Sequence, residues 1–236
     1  DGDGRINPNG TIIFDASATE PDGDALTYSW AVNESSFSTA EDPSYTFSTP
    51  GSHTITVTVT DTRGAQGRAA STVTVNAPPV AAFTGPTYSL EGDSITFTDS
   101  SYDTEDTSLT YAWDFGDSSS STEASPSHTF TSYGSYTASL TVTDDDGLSD
   151  TATASVAVNA LPTAVISGFP AGDIVDLGSS FTLNGDTSSD PDDSIVSYRW
   201  TMSDSTVYTT ANITHTYSTN SDGDITLTVT DQDGET

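Results

Sequence analysis

"SLTYAWDF", residues 108–115, places Leu109, Tyr111, Trp113 and Phe115 on one side of the chain and the residues between them on the other. Successive side chains of a strand point to opposite faces, so this period of two, rich in aromatics, marks a half-buried strand. The phrase occurs twice more, as "ALTYSWAV" at 25–32 and "IVSYRWTM" at 195–202. Each tryptophan precedes the aspartate that closes a T-V-T-D phrase by 31 residues: Trp30 to Asp61, Trp113 to Asp144, Trp200 to Asp231. An aromatic residue, Phe47, Phe130 or Tyr217, precedes the same aspartate by 14. The tryptophans lie 83 and 87 residues apart, so the repeating unit is one small domain.

The other strands follow the same period. Ile12 and Phe14 match Ile95 and Phe97, then Phe181 and Leu183, and Ile55, Val57 and Val59 alternate with threonines. Turn-rich segments such as "EPDGD" (20–24) and "SDPDD" (189–193) separate the runs, and no helical period appears. Short strands at regular spacing with turns between them predict an all-β chain of three tandem two-sheet sandwiches. The expected units span 1–76, 77–160 and 161–236, with the first strand of unit one incomplete and the last strand of unit three missing. Two explanations fit those ends: further repeats beyond the part shown, or a strand received from a neighbouring subunit.

The middle unit, "YAWDFGDSSSSTEASPSHTFTSYGSYTASLTVTDDDG" (111–147), resembles a PKD (polycystic kidney disease) domain. It carries W-D-F-G-D from Trp113 to Asp117, while "WAVNES" and "WTMSDS" keep the tryptophan and lose the glycine turn. The resemblance implies an immunoglobulin-like sandwich, an extracellular spacer or adhesion role, and no catalytic residues of the family's own.

Charge narrows the function classes. The chain of 236 residues holds 35 acidic residues against four arginines and no lysine, a formal net charge of −31. No basic patch for nucleic acid can be assembled, and an anionic membrane surface would repel it. No apolar run reaches the length of a membrane span. Cysteine is absent, so neither disulfides nor thiolate chemistry is available. Acidic chains are often disordered, but regularly placed aromatics, 9 % of the residues, argue for a folded one.

The carboxylates gather in the loops after the second strand and before the last, which lie at one end of such a sandwich. Unit one offers Glu20, Asp22, Asp24 and Asp61, and unit two offers Asp103, Glu105, Asp106, Asp144, Asp145 and Asp146. Unit three offers Asp190, Asp192, Asp193, Asp231 and Asp233. Calcium takes six to eight oxygens from flexible acidic loops of this kind. The linkers "NAPPV" (76–80) and "NALPT" (159–163) enter each following unit at that end, so calcium there would stiffen the junctions. The competing expectation is a salt-adapted acidic coat with aspartate as an ordinary turn residue. "DGDGRIN" (1–7) resembles half of a calcium loop, but no glutamate follows at the required distance.

Glycan acceptor tripeptides stand at Asn9, Asn33 and Asn212, of which Asn33 and Asn212 fit better. His128 and His215 occupy one repeat position, filled in unit one by Tyr45, which reads as a packing site. No nucleophile elbow, zinc spacing or phosphate loop is present, so no enzyme is expected. The expected function is a rod-like structural or adhesion segment of an extracellular surface layer or filament, from a halophilic or marine source, archaeal by composition. Its partners would be further repeats, neighbouring subunits or other surface proteins. The alternative is an accessory region of a secreted hydrolase or protease that binds carbohydrate or protein, or a viral fibre. Polysaccharide binding would require Phe37, Tyr88 and Tyr133 to form an exposed platform.

Overall fold

The computed structural model describes residues 5–105, 108–220 and 222–236. Among them every extended element is a short strand, and the one helical turn is a 3-10 turn at Ala171–Asp173. The chain forms three all-β, immunoglobulin-like sandwiches in tandem.

Unit two shows the plan. Thr110–Asp114 pairs antiparallel with Gly134–Thr143, with Trp113 opposite Leu140. Gly134–Thr143 pairs over its whole length with Ser149–Asn159. Ser120–Ser121 closes one edge of this sheet, and Tyr88–Leu90 closes the other, running parallel to Ser149–Asn159. Facing it, Ser94–Thr96 pairs with Ser127–Thr129, and Phe83–Thr84 pairs with Thr98–Asp99. The alternation read in the sequence becomes the two faces: Trp113, Leu140, Val142 and Val156 point inward and are buried, while the residues between them face water.

The outer units repeat the arrangement. In unit one the longer sheet runs Ser35–Ser38, Thr27–Val32, Gly51–Thr60, Gln66–Val75, and Gly10–Ile13 pairs with Ser44–Phe47. In unit three Ser197–Thr201 lies between Val207–Tyr208 and Thr226–Thr230, and Ser180–Asn184 pairs with Asn212–Thr216.

Each tryptophan is the centre of its core. Trp113 is 2 % exposed, parallel to Phe115 and edge-on to Phe83 at a centroid distance of 4.8 Å. A buried indole must also satisfy its N–H. In all three units it donates to a backbone carbonyl ten residues on: Ala40 at 3.0 Å, Glu123 at 2.9 Å, Thr210 at 3.0 Å. That bond pins the loop after the tryptophan strand at the same place three times over. The glycine of W-D-F-G-D is also a packing requirement. Gly116 has φ +81°, and a Cβ there would stand 2.8 Å from the Thr137 carbonyl oxygen. The outer units turn differently, with positive φ at Asn33 and Glu34 in one and at Ser205 in the other.

Candidate calcium sites at the unit junctions

The T-V-T-D aspartates build the junctions. Each backbone N–H donates four residues ahead: Asp61 to Ala65, Asp144 to Leu148, Asp231 to Glu235. Each Oδ1 accepts backbone N–H groups of the same turn, from Arg63 and Ala65, from Leu148, and from Gly234 and Glu235. Aspartate is favoured there because its short arm folds back on its own backbone. One carboxylate oxygen is therefore consumed locally, and in units two and three the other is turned toward the preceding unit. Asp144 Oδ2 accepts the Asn76 side-chain N–H at 2.8 Å, and Asp231 Oδ2 accepts that of Asn159 at 3.1 Å. All four residues are buried. Asn76 and Asn159 are the final residues of V-T-V-N and V-A-V-N, a repeated position that the sequence reading passed over.

Around these paired bonds the two junctions differ. Between units one and two, Asn7 donates to the Asp146 carbonyl oxygen at 3.1 Å. Arg5 lies 3.9 Å from the carboxylates of both Asp145 and Asp146. Within this cluster Asp103 accepts the Glu105 backbone N–H at 2.8 Å, and Asp106 lies outside the described residues. Between units two and three, the Ala160 N–H points at both oxygens of Asp192, and the Tyr88 hydroxyl donates to Glu235. Burial pushes that phenol up from its ordinary value, and the charges of Glu235 and Asp233 add to the shift.

The unit-three end holds the one convergent group of candidate ligands among the described residues. One oxygen each from Asp190, Asp193 and Asp231 lie within 4.8 Å of one another. Asp190 Oδ2 and Asp193 Oδ1 are shielded from water and have no hydrogen-bond partner. Orphaned buried carboxylate oxygens are costly unless a cation satisfies them. The local electrostatics register the crowding. Burial raises the Asp193 carboxyl, and the charges of Asp190, Asp231 and Asp233 raise it further. Asp192 is raised by burial and by its contact with Asp190. Asp190 goes the other way, because the N–H groups of Asp192 and Asp193 outweigh its burial. Three hard oxygen donors in a partly shielded loop pair fit calcium, which can complete its shell with carbonyls and water. Asp233 is exposed and stands outside the triad.

At unit one Gly23 stands at the Asp193 position, and the carboxylates of that end do not converge. Arg63 reaches across the end, with Nη1 2.9 Å from Asp22 and Nε 3.6 Å from Asp24. Asp22 also receives part of its order from Glu20, which accepts its backbone N–H.

The remaining candidates are placed as follows. The Asn9 backbone has φ +66°. The amide nitrogens of Asn33 and Asn212 are engaged, with His53 at 3.1 Å and Asp186 at 3.0 Å. Phe37 is half-buried and packs edge-on against Tyr45 beside the unit-one core, at the bulge of its hairpin. Tyr88 and Tyr133 are both exposed in unit two, and with Phe37 packed in unit one the three aromatics form no single platform.

His128 lies flat on Phe115 at 4.1 Å and edge-on to Phe130, as a packing residue would. It also pairs through Nε2 with Asp117 at 2.8 Å, and His215 pairs through Nε2 with Asp204 at 3.2 Å. Both acids sit four residues after their tryptophan, a relation the sequence reading missed. Ser119 approaches the same Nε2 of His128 that Asp117 occupies. A relay needs its acid and its nucleophile on opposite ring nitrogens, so this is no catalytic triad.

Comparison with known proteins assigns the class: the chain belongs to the PKD domain family, whose profile matches residues 1–75, 76–158 and 159–236. PKD domains are a non-catalytic accessory type, and the whole chain consists of them. It is 38 % identical over 138 residues to the pre-pro-metalloprotease PrtV of Vibrio cholerae, covering 57 % of this chain and 14 % of that protein. It is 42 % identical over 91 residues to a microbial collagenase of Vibrio alginolyticus, covering 38 % and 11 %. Among solved structures, the PKD1 domain of Vibrio anguillarum Epp is 45 % identical, covering 35 % of this chain and 95 % of that one, with a TM-score of 0.32. The chain thus spans a small fraction of the curated relatives it matches. Those relatives are bacterial, and nothing among them supports an archaeal surface layer.

Proposed function

We propose that these three units form a non-catalytic, extracellular spacer in a secreted hydrolase, holding a catalytic partner at a set distance, with calcium stiffening the junction between units two and three. The relatives named as proteases favour this over a surface filament, and the short share of each that is matched fits an accessory role within a longer chain. The single observation that carries the spacer geometry is the buried asparagine–aspartate bond at both junctions. A flexible tether would expose such groups to water. Here each removes an amide and a carboxylate from solvent together, which ties the orientation of one unit to the next. The calcium part rests on the orphaned oxygens of Asp190 and Asp193 beside Asp231. Small-angle scattering of the full chain in calcium and in chelator tests it: calcium should lengthen and narrow the distance distribution. Superimposable profiles would remove calcium from the account.

A further inference from the structure

Each junction adds a second contact to the shared asparagine–aspartate bond, and both second contacts start from one repeat position. Ile6 lies opposite Val75 and Ser89 lies opposite Val158, each in parallel register, so Arg5 and Tyr88 stand at the same place beside the last strand of their units. Val75 and Val158 immediately precede Asn76 and Asn159. The second contact therefore starts one strand spacing, about 4.8 Å, to the side of the first. Across the boundary the two contacts end differently. Arg5 meets Asp145 and Asp146, one and two residues past Asp144, whereas Tyr88 donates to Glu235, four residues past Asp231.

Donor and acceptor change together. Unit two has Leu148 at the place of Glu235, and unit three has Gln232 at the place of Asp145. The same turn in unit one, Thr62 to Ala65, holds no carboxylate for either donor. The fold itself does not dictate the donor. Gly92 and Gly178 make equivalent bonds, to the carbonyls of Phe130 and Tyr217, which places Ile174 at the Tyr88 position of unit three, 75 % exposed. Arginine, tyrosine and isoleucine thus occupy one place on one framework, so the framework leaves the choice to whatever lies across the boundary. One hydrogen bond leaves a pivot, and a second contact to its side opposes rotation about it. The first junction shields that contact from salt, since the Arg5 side chain is 16 % exposed and that of Asp146 3 %.

We propose that the Arg5/Tyr88 position is the specificity-determining point of the junctions: it fixes the rotation of each unit on the next and favours a successor that carries the matching acidic residue in its T-V-T-D turn. The proposal rests on the spacer reading and adds to it what distinguishes one successor from another. Asn76 and Asn159 make the same bond at both junctions and carry no such distinction. Tyr88 selects a turn with glutamate four residues past the aspartate, and Arg5 selects the D-D-D turn.

Backbone amide exchange of the full chain, in chelator so that no bound calcium masks the second junction, tests it. Tyr88→Phe should speed exchange at 231–235 by about two- to tenfold, the usual worth of one hydrogen bond, and leave 144–148 unchanged. Arg5→Tyr should speed exchange at 144–148 by a similar factor. Adding Leu148→Glu to Arg5→Tyr transplants the second pair into the first junction and should restore slow exchange there, whereas Leu148→Glu alone should not slow it. A double variant no slower than Arg5→Tyr overturns the proposal, as does Tyr88→Phe without effect. Asn76→Ala reads the underlying spacer contact separately. If it speeds 144–148 while the Arg5 and Tyr88 variants do nothing, the shared bond stands and the selective contact fails. If it too changes nothing, the spacer reading fails.

Discussion

The junction between units one and two and the junction between units two and three share one buried bond and differ in everything around it. Both tie a strand-ending asparagine to a T-V-T-D aspartate. At the first, the preceding unit also supplies an arginine, Arg5, to Asp145 and Asp146. At the second, the preceding unit supplies the Ala160 N–H and the Tyr88 hydroxyl, neither of them charged, to an end where carboxylates crowd together. Repeats that fold alike therefore need not dock alike. The common bond is shared, and the charges around it differ.

The widest break in that comparison is to remove the unit that belongs to both junctions. Trp113→Ala deletes the centre of the unit-two core and orphans the Glu123 carbonyl. It should cost about 3–5 kcal/mol, the usual penalty for emptying a buried aromatic site. Chemical denaturation should show a loss of far-ultraviolet circular dichroism, from unit two, at lower denaturant than the transition reported by the fluorescence of Trp30 and Trp200 in its neighbours.

A finer break addresses one bond at a time. Asn76→Ala and Asn159→Ala each leave a buried carboxylate oxygen without its donor, at a cost of about 1–3 kcal/mol. The comparison predicts unequal outcomes. Arg5 and Asn7 still hold the first junction after Asn76→Ala, whereas Asn159→Ala in chelator leaves the second with weak contacts. Amide exchange at 144–148 and at 231–235 should therefore rise more in the second variant, and calcium should reverse more of that rise. Equal loosening at both junctions would show that the surrounding charges do not matter.

A third variant tests the arginine. Arg5→Gln should loosen the first junction, and because the Arg5 side chain is only 16 % and that of Asp146 only 3 % exposed, the loss should change little as salt rises. Melting at low and high ionic strength measures it.

Much of this was legible in the sequence. Trp113 with its alternating neighbours announced the strand, and the fixed distance to Asp144 announced the repeat. The crowding of Asp190, Asp193 and Asp231 was legible too, because turn position and strand direction put both loops at one end. What stayed hidden was partnership across a boundary. Asn76 reads as a linker residue, and nothing local says that its amide is aimed at an aspartate 68 residues away. Arg63 reads as one charge among many until its reach over Asp22 and Asp24 is seen. Phe37 looked like surface because its strand is bulged, and a one-residue shift turns a side chain to the other face. The histidines were read from their packing alone; their acids arrive from the turn after the tryptophan strand, whose course the sequence did not define.

That last pairing separates unit two from unit one by acid sensitivity. Burial would raise the Asp117 carboxyl, but hydrogen bonds from Ser119 and His128 outweigh it, and the carboxyl lies below its ordinary value of 3.8. A carboxyl held low in the folded state contributes stability that is present above the unfolded value and is lost as pH falls through the folded one. Unit two should accordingly lose stability below about pH 4, in the range of an ordinary aspartate. Unit one has Tyr45 where His128 stands and cannot lose this contribution. Asp117→Asn should flatten the acid limb of unit two and leave unit one unchanged, read by the exchange of amides in Gly134–Thr143 against those in Gly51–Thr60. If both limbs move together, the acid loss belongs to the net charge of the whole chain and not to this pair.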